Sequence, residues 1–449
     1  MSLSPSAQTE RPSLRVAIAG LGTVGAAVID ILQRDGDRLA ARCGRSIEIV
    51  GVSARNRKRQ RAVDVSAYEW ADDPVALARM DADVFVELIG GDEGPAREAV
   101  EVALDAGRHV VTANKALLAK HGVQLAERAE AAGVSLAYEA AVAGGIPIIK
   151  TMRESFSGND VSRVSGILNG TCNYILTRME AEGISFADCL AHAQRLGYAE
   201  ADPTFDVRGD DTAHKLAILA SLAFGTRISF EALHLEGITE VTLDDIRAAH
   251  ELGYRIKLLG VAARTGSGAK GAIETRVHPA LVPLDTALAD VGGVLNAVTV
   301  ESELLGQVMM VGPGAGGAAT ASAVLGDLTD VARLGTGGFL APLATRADAL
   351  TPHEPGPTAA HPGGFFIRME VLDRPGVMAA VATRMADEAI SLESIVQRKR
   401  TDGGPQDVQP IVLITAEATE RSIRTAVEAM LKDDYLIAAP RVIRIERVV

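Results

Sequence analysis

Between residues 14 and 140 short apolar runs alternate with amphipathic stretches, and no other feature of the sequence limits its fold as strongly. LRVAIAG (14–20) reads as a buried strand, and GTVGAAVIDILQ after it has the period of a helix. SIEIVGVS (46–53), ADVFVELIG (82–90), HVVTA (109–113) and VSLAYEA (134–140) are further strands, with helical stretches between most of them. Strand–helix–strand repetition of this kind implies an α/β fold, a doubly wound parallel sheet.

A chain of 449 residues is too long for one core, and the order changes beyond Ile146. A helix, a strand at 161–168, three helical stretches and strands near 255–265, 271–278 and 294–303 suggest an α+β domain. The Gly-rich segment and helix at 312–334 would pack back on the first domain. The Pro/Gly-rich stretch 351–364, TPHEPGPTAAHPGG, lacks periodicity and reads as a linker. The remainder has the order βαββαβ, with strands at 392–400, 408–415 and 441–449 and a helix at 420–432, which is a ferredoxin-like unit. The expected domains are therefore 14–150 (nucleotide-binding, joined by the helix 315–335), 151–310 (substrate binding and oligomerisation) and 365–449, which the linker would leave to fold independently.

A net charge of −13 argues against nucleic-acid or anionic-membrane partners. No apolar run reaches membrane-spanning length. Three cysteines, Cys43, Cys172 and Cys189, form no CxxC pair and suit a reducing compartment, and the first thirteen residues lack the apolar core of a signal peptide. A cytoplasmic location is the expectation.

Gly20-Leu21-Gly22-Thr23-Val24-Gly25 follows a strand and opens a helix. Gly20 permits the turn, Gly22 lets backbone approach a pyrophosphate and Gly25 allows close helix–strand packing, while the helix start offers N–H donors. After the second strand, where an acidic residue would favour NAD, the sequence reads Ser53-Ala54-Arg55-Asn56-Arg57-Lys58-Arg59-Gln60-Arg61. Arg55 with Arg57 or Lys58 could meet a 2′-phosphate, which favours NADP over NAD; a solvated basic loop is the alternative.

Lys115, in Thr112-Ala113-Asn114-Lys115, stands at the C-terminal end of a strand, where open α/β sheets bind ligands. Asp211 and Lys215 are four apart at the start of an apolar helix, so they share one face. They could be a proton-handling pair or an ordinary ion pair of the helix surface. Just upstream, Tyr198-Ala199-Glu200-Ala201-Asp202-Pro203-Thr204-Phe205-Asp206 supplies carboxylates that suit an amino-acid ammonium, or form a solvated acidic loop. No HExxH, GxSxG or Cys–His signature is present.

Taken together these stretches resemble homoserine dehydrogenase. The likeness runs through Gly20–Gly25, Val86–Gly91, Thr112–Lys115, Tyr138–Pro147, Gly166–Ile175, Gly197–Lys215 and Gly312–Gly317 and covers roughly residues 14–345. Asp373-Arg374-Pro375-Gly376-Val377 in the tail resembles an ACT regulatory domain. The resemblance implies interconversion of L-homoserine and L-aspartate 4-semialdehyde with NAD(P)(H), in threonine, methionine and isoleucine synthesis. It implies that Lys115 and Lys215 are catalytic, with Asp211 assisting, one lysine meeting the charge that grows on the carbonyl oxygen and supplying its proton. Glu200 and Asp206 would hold the substrate, with Gly170, Thr171 and Tyr198 lining its pocket. Thr112, Lys115 and Gly314 would join Gly20, Gly22, Thr23, Val24 and Gly25 at the cofactor. Glu139, Val142, Gly144 and Ile146 resemble a monovalent-cation (sodium) loop. Ala319-Thr320, where a Pro-Thr is common, is a small departure. The implied partners are an amino-acid substrate, an amino-acid effector (threonine first) between paired ACT units, and further copies of the chain in a homodimer or homotetramer. Another amino-acid dehydrogenase on this scaffold, or a catalytically inactive amino-acid sensor, is the rival reading.

Overall fold

The computed structural model describes residues 12–231, 233–265, 271–334, 341–356, 362–397 and 408–446. Expectations for 1–11, 357–361, 398–400 and 447–449 fall outside the described residues. The chain divides into two compact units, residues 1–162, 214–231 and 301–353 in one and residues 163–213, 232–300 and 354–449 in the other.

The first unit contains a six-stranded sheet of β1 (Leu14–Ala19), β2 (Ile47–Ser53), β3 (Glu69–Trp70), β4 (Val84–Glu87), β5 (His109–Thr112) and β6 (Leu136–Ala137). The strand order is β3-β2-β1-β4-β5-β6, and every pairing is parallel. The chain therefore winds one way from β1 and then the other, leaving a crevice beyond the C-terminal ends of β1 and β4. The connections contain α1 (Thr23–Cys43), α2 (Pro74–Ala78), α3 (Pro95–Asp105) and α4 (Lys115–Ala132). After β6 come α5 (Ile148–Lys150) and a π-helical turn to Ser155.

In the second unit β7 (Val161–Ile167) leads into α6 (Gly170–Glu182), α7 (Phe186–Arg195), α8 (Thr204–Val207) and α9 (Asp210–Phe224), the last of which crosses the division of the chain. Then follow β8 (His234–Leu235), α10 (Leu243–Glu251), β9 (Tyr254–Thr265), β10 (Ala272–Pro283) and β11 (Leu295–Ser302). β9 and β10 form a long antiparallel pair, buried along nearly its whole length. β12 (Gly306–Pro313) and α11 (Gly317–Leu334) belong to the first unit, where Val324, Leu328 and Val331 of α11 share a core with Val28, Ile29 and Leu32 of α1.

The tail comprises β13 (Pro362–Leu372), α12 (Val377–Asp387), β14 (Leu392–Gln397), β15 (Val408–Thr415), β16 (Ala418–Thr419), α13 (Glu420–Met430) and β17 (Arg441–Ile445). β13 begins inside the stretch that composition marks as a linker, and residues 354–356 of that stretch are held to β10: Ile273 donates to the Glu354 carbonyl at 2.8 Å and Gly356 to that of Ile273 at 2.7 Å. Nor does the tail stand apart. β17 pairs with β13 on one side and in parallel with β10 on the other, at Ala280–Arg444 and Leu281–Ile445.

Candidate active site

In the first unit the glycine loop is fixed by sterics. Gly20 has φ +100°, and a Cβ there would lie 2.4 Å from the Leu88 carbonyl oxygen; a Cβ on Gly25 would lie 2.0 Å from that of Gly20. Both positions therefore exclude any larger residue. Gly22 faces open space and caps α1 with no side-chain hydrogen bond, and Leu21, Gly22 and Thr23 line a cavity of about 490 Å³ that continues along α1 past Ala26, Ala27 and Asp30. Gly317 lines the same cavity, whereas Gly314, three positions before it, is not among its walls. These features fit a pyrophosphate: an uncapped helix start, a glycine with room in front of it and a positive end of the helix dipole.

The basic loop reaches this cavity through different residues from those the spacing suggests. Arg59, Gln60 and Arg61 line it, whereas Arg55 and Arg57 are exposed and absent from its walls. Arg57 and Arg61 instead flank Trp70, their guanidinium carbons 5.5 and 5.4 Å from the ring centre. Arg61 also donates to the carbonyls of Asn56 (2.6 Å) and Arg59 (2.8 Å), folding the loop back on itself.

At the ends of β4 and β5 a buried carboxylate organises the turn that carries Lys115. Glu87 accepts from the amides of Ile89 (2.7 Å) and Gly90 (2.9 Å) and from the Thr112 hydroxyl (2.6 Å). Thr112 Oγ1 in turn accepts from the Asn114 amide at 3.0 Å. Asn114 donates to the Gly91 carbonyl (2.6 Å) and caps α4 through the Leu117 amide (3.1 Å). Lys115 is the first residue of that helix and half-buried. Spacing alone did not single out Glu87 or Asn114, although an Asn just before a helix is a capping signal.

The segment 139–146 is almost wholly buried. Both carboxylate oxygens of Glu139 are engaged by main-chain amides, of Ile149 at 2.8 Å and Lys150 at 2.9 Å. What Glu139, Val142, Gly144 and Ile146 have to offer a hard cation is thus main-chain carbonyl oxygen. Gly144 approaches the Gly314 carbonyl closely enough that a Cβ would sit 3.1 Å from it. Beneath the loop Asp327 accepts from the Glu139 amide at 2.9 Å, and burial pushes its carboxyl up to about 7. Among the described residues no group of three or more His, Cys, Asp or Glu side chains could hold a metal.

In the second unit one amide collects two carboxylates. Asn169 caps α6 through the Cys172 amide (2.7 Å), and its Nδ2 donates to Asp206 (2.9 Å) and Asp211 (2.8 Å). Gly170 is required by proximity, since a Cβ would lie 2.7 Å from the Val294 carbonyl oxygen. Thr171 Oγ1 donates to the Tyr198 carbonyl at 2.7 Å, and the Tyr198 ring meets Tyr174 edge-on at 5.1 Å. Thr171, Asp206 and Tyr198 are therefore assembled around the start of α6. Glu200 is not: its side chain is exposed, and its main-chain carbonyl accepts from Gln194 at 3.0 Å. Asp211 is buried near the start of α9, and Lys215, one turn further along, is also buried.

Family models described as "Homoserine dehydrogenase", "Homoserine dehydrogenase, NAD binding domain" and "ACT domain" match residues 147–329, 20–139 and 365–433. The homoserine dehydrogenase of Pseudomonas aeruginosa is 45% identical over 93% of this chain and 95% of its own length. That of Corynebacterium glutamicum is 43% identical over 96% and 95%. The crystal structure of a homoserine dehydrogenase from Thiobacillus denitrificans superposes with a TM-score of 0.89 at 41% identity, covering 98% of this chain and 99% of that one. A hyperthermophilic archaeal homoserine dehydrogenase in complex with NADPH superposes at 0.60 and 28% identity, over 70% of this chain and 96% of that one. The chain belongs to the homoserine dehydrogenase family, an oxidoreductase with a nicotinamide-dinucleotide domain and a C-terminal ACT domain.

Proposed function

We propose that the chain interconverts L-homoserine and L-aspartate 4-semialdehyde through Lys215 and Lys115, with NADP(H) favoured over NAD(H). The observation that carries this reading is the convergence of Asp206 and Asp211 on Asn169, one helical turn before Lys215. When bound, the nicotinamide supplies or accepts the hydride. The chain's own part is electrostatic and protonic. A lysine ammonium meets the negative charge that grows on the carbonyl oxygen and gives it a proton, with Asp211 assisting from one turn earlier on α9. Asp206 takes the substrate ammonium, with Thr171, Gly170 and Tyr198 as walls; the exposure of Glu200 leaves it a part only if substrate draws its side chain in. The main-chain carbonyls of Glu139, Val142, Gly144 and Ile146 are proposed to hold a sodium-like cation, supported by the engagement of the Glu139 carboxylate elsewhere. The ACT domain is proposed to sense an end-product amino acid, and β14, a sheet edge with alternating exposure, supports assembly into a homo-oligomer. A cytoplasmic setting is supported by three free, buried cysteines and by the absence, among the described residues, of a helix long and apolar enough to cross a membrane.

The test follows nicotinamide absorbance with homoserine against a panel of hydroxy amino acids, in the wild type and in Lys215→Met. Turnover should require homoserine and fall by roughly 10²–10⁴ in the variant, with cofactor binding and melting temperature retained. A folded Lys215→Met protein with near wild-type turnover would leave Lys215 a structural cation.

A further inference from the structure

Glu87 is the last residue of β4, and it is completely out of solvent. A carboxylate so placed usually has an arginine or lysine beside it, because an unpaired charge is costly away from water. Glu87 has no ion-pair partner among the described residues. One of its oxygens takes the amides of Ile89 and Gly90, and the other takes the Thr112 hydroxyl. All three partners are donors: Thr112 Oγ1 already accepts from the Asn114 amide, so its own proton points at Glu87. Three donors and no cation suit an ionised carboxylate whose charge nothing neutralises.

Its place in the sheet gives that charge a use. β4 and β5 lie to one side of β1, and β2 and β3 lie to the other. The glycine loop at the end of β1 fits a pyrophosphate, and the basic loop after β2 reaches the same cavity through Arg59 and Arg61. With the adenosine half of a dinucleotide on the β2 side, its nicotinamide half falls to the ends of β4 and β5. The chain after β4 touches the glycine loop directly. The Leu88 amide donates to the Ala19 carbonyl at 2.8 Å, and the Leu88 carbonyl oxygen is the atom that a Cβ on Gly20 would strike. Two residues beyond Ile89, the Gly91 carbonyl accepts from Asn114, which caps the helix that Lys115 begins. Glu87 thus joins the two loops that frame this side of the crevice.

The two forms of a nicotinamide cofactor carry the same phosphates and differ by one charge, the positive charge of the oxidised ring. We propose that Glu87 is a positioning residue whose buried, unneutralised carboxylate, held by two loop amides and Thr112, favours the oxidised cofactor over the reduced one. The proposal rests on the reading that this crevice takes NAD(P). It has a sign for the reaction. Positive charge grows on the ring as hydride leaves it, so a fixed negative charge on this side of the crevice assists reduction of the semialdehyde and opposes oxidation of homoserine. A neutral side chain with the same hydrogen bonds would join the loops equally well, but it would not distinguish the two forms.

Isothermal titration of the full-length enzyme with NADP⁺ and with NADPH, without substrate, tests this in the wild type, Glu87→Gln and Glu87→Asp. Glu87→Gln should weaken NADP⁺ relative to NADPH by about fivefold or more. Glu87→Asp keeps the charge on a shorter side chain and loosens the loops, so both affinities should fall together and their ratio stay within about twofold of wild type. In Glu87→Gln the Thr112 proton competes with the new amide. If that variant fails to fold, Glu87→Gln/Thr112→Val removes the conflict and should show the same shift in ratio; melting temperature reports on folding. A folded neutral variant with the wild-type ratio overturns the proposal and leaves Glu87 a structural acceptor. An equal shift in Glu87→Asp overturns it too, since geometry and not charge would then set the preference. A wild type that binds neither form overturns the reading of the crevice as a cofactor site, and this proposal with it.

Discussion

Lys257 shows what a single side chain can contribute away from the chemistry. It is only 2% exposed and donates to Asn173 Oδ1 (3.0 Å) and to the Val291 carbonyl (2.6 Å), joining β9 to α6 and to the loop before β11. Burial, with a smaller push from Arg255, lowers its amine to about 8 from an ordinary value of 10.5. The folded value lies below the unfolded one, so between about pH 8 and pH 10 the unfolded chain binds the extra proton and stability rises with pH. Urea unfolding of the wild type relative to Lys257→Met should therefore show the wild type gaining up to about 3 kcal/mol across that window. A pH-independent difference would mean that the amine keeps its ordinary value. Nothing in the sequence marks this lysine, which sits in an apolar run. The same holds for Glu87 and Asn169. Their roles depend on partners 25 to 42 positions away, Thr112 for the first and Asp206 and Asp211 for the second, and no local pattern encodes such pairings. Gly20 and Gly25 were legible because their constraint is local, a turn and a close approach inside one strand–helix unit.

At the scale of elements, the sequence revealed strands that bury both faces, and β14 by its alternation, but it hid β12. β1, β4 and β9 are apolar runs. β12 was not foreseen because its residues are exposed or half-buried along the whole strand, and a strand without a dry face carries no hydrophobic period. The β2–β3 loop was legible in charge but not in path. Four arginines at every second position suggest a phosphate site near its start, yet the loop folds back through Arg61 and brings Arg59 and Arg61 to the cavity of the glycine loop. Cofactor choice should follow the path. Replacing Arg59 and Arg61 by alanine should raise the KM for NADP(H) by about tenfold or more and leave that for NAD(H) within about twofold, because only NADP carries the 2′-phosphate. Replacing Arg55 and Arg57 should matter less. Steady-state kinetics with both cofactors decide it: an equal loss for NADP and NAD in the Arg59/Arg61 variant would remove these residues from phosphate recognition.

At the scale of the whole molecule, the Pro/Gly-rich stretch suggested a detachable tail, because composition reports local stiffness and not what a later strand will pair with. The pairing that matters joins residues about 164 positions apart, Ala280 with Arg444 and Leu281 with Ile445. It brings Glu446 among Arg276 and His278, which are nearly out of solvent, and Arg163, which is partly so. Ending the chain after Leu350 would remove β17 and leave that part of β10 an open edge in a strand whose side chains are buried almost throughout. It would also strip Arg163 and Arg276 of the carboxylate they share. Removing one partner of a buried charge pair costs about 3–5 kcal/mol, because the other charge remains where water cannot reach it. The truncated chain should therefore be poorly soluble or melt well below the full-length protein, even though its nucleotide-binding sheet is intact. Glu446→Gln separates the two causes, since it keeps β17 and its hydrogen bonds while removing the charge. It should lower unfolding free energy by several kcal/mol near neutral pH, and the deficit should shrink in acid. The Glu446 carboxyl is held below its unfolded value, so its stabilisation is present above that value and fades as pH falls through the folded one. Calorimetry of the three proteins gives the answer: a truncated chain that stays soluble and melts with the full-length enzyme would show that β10 needs neither the strand nor the charge.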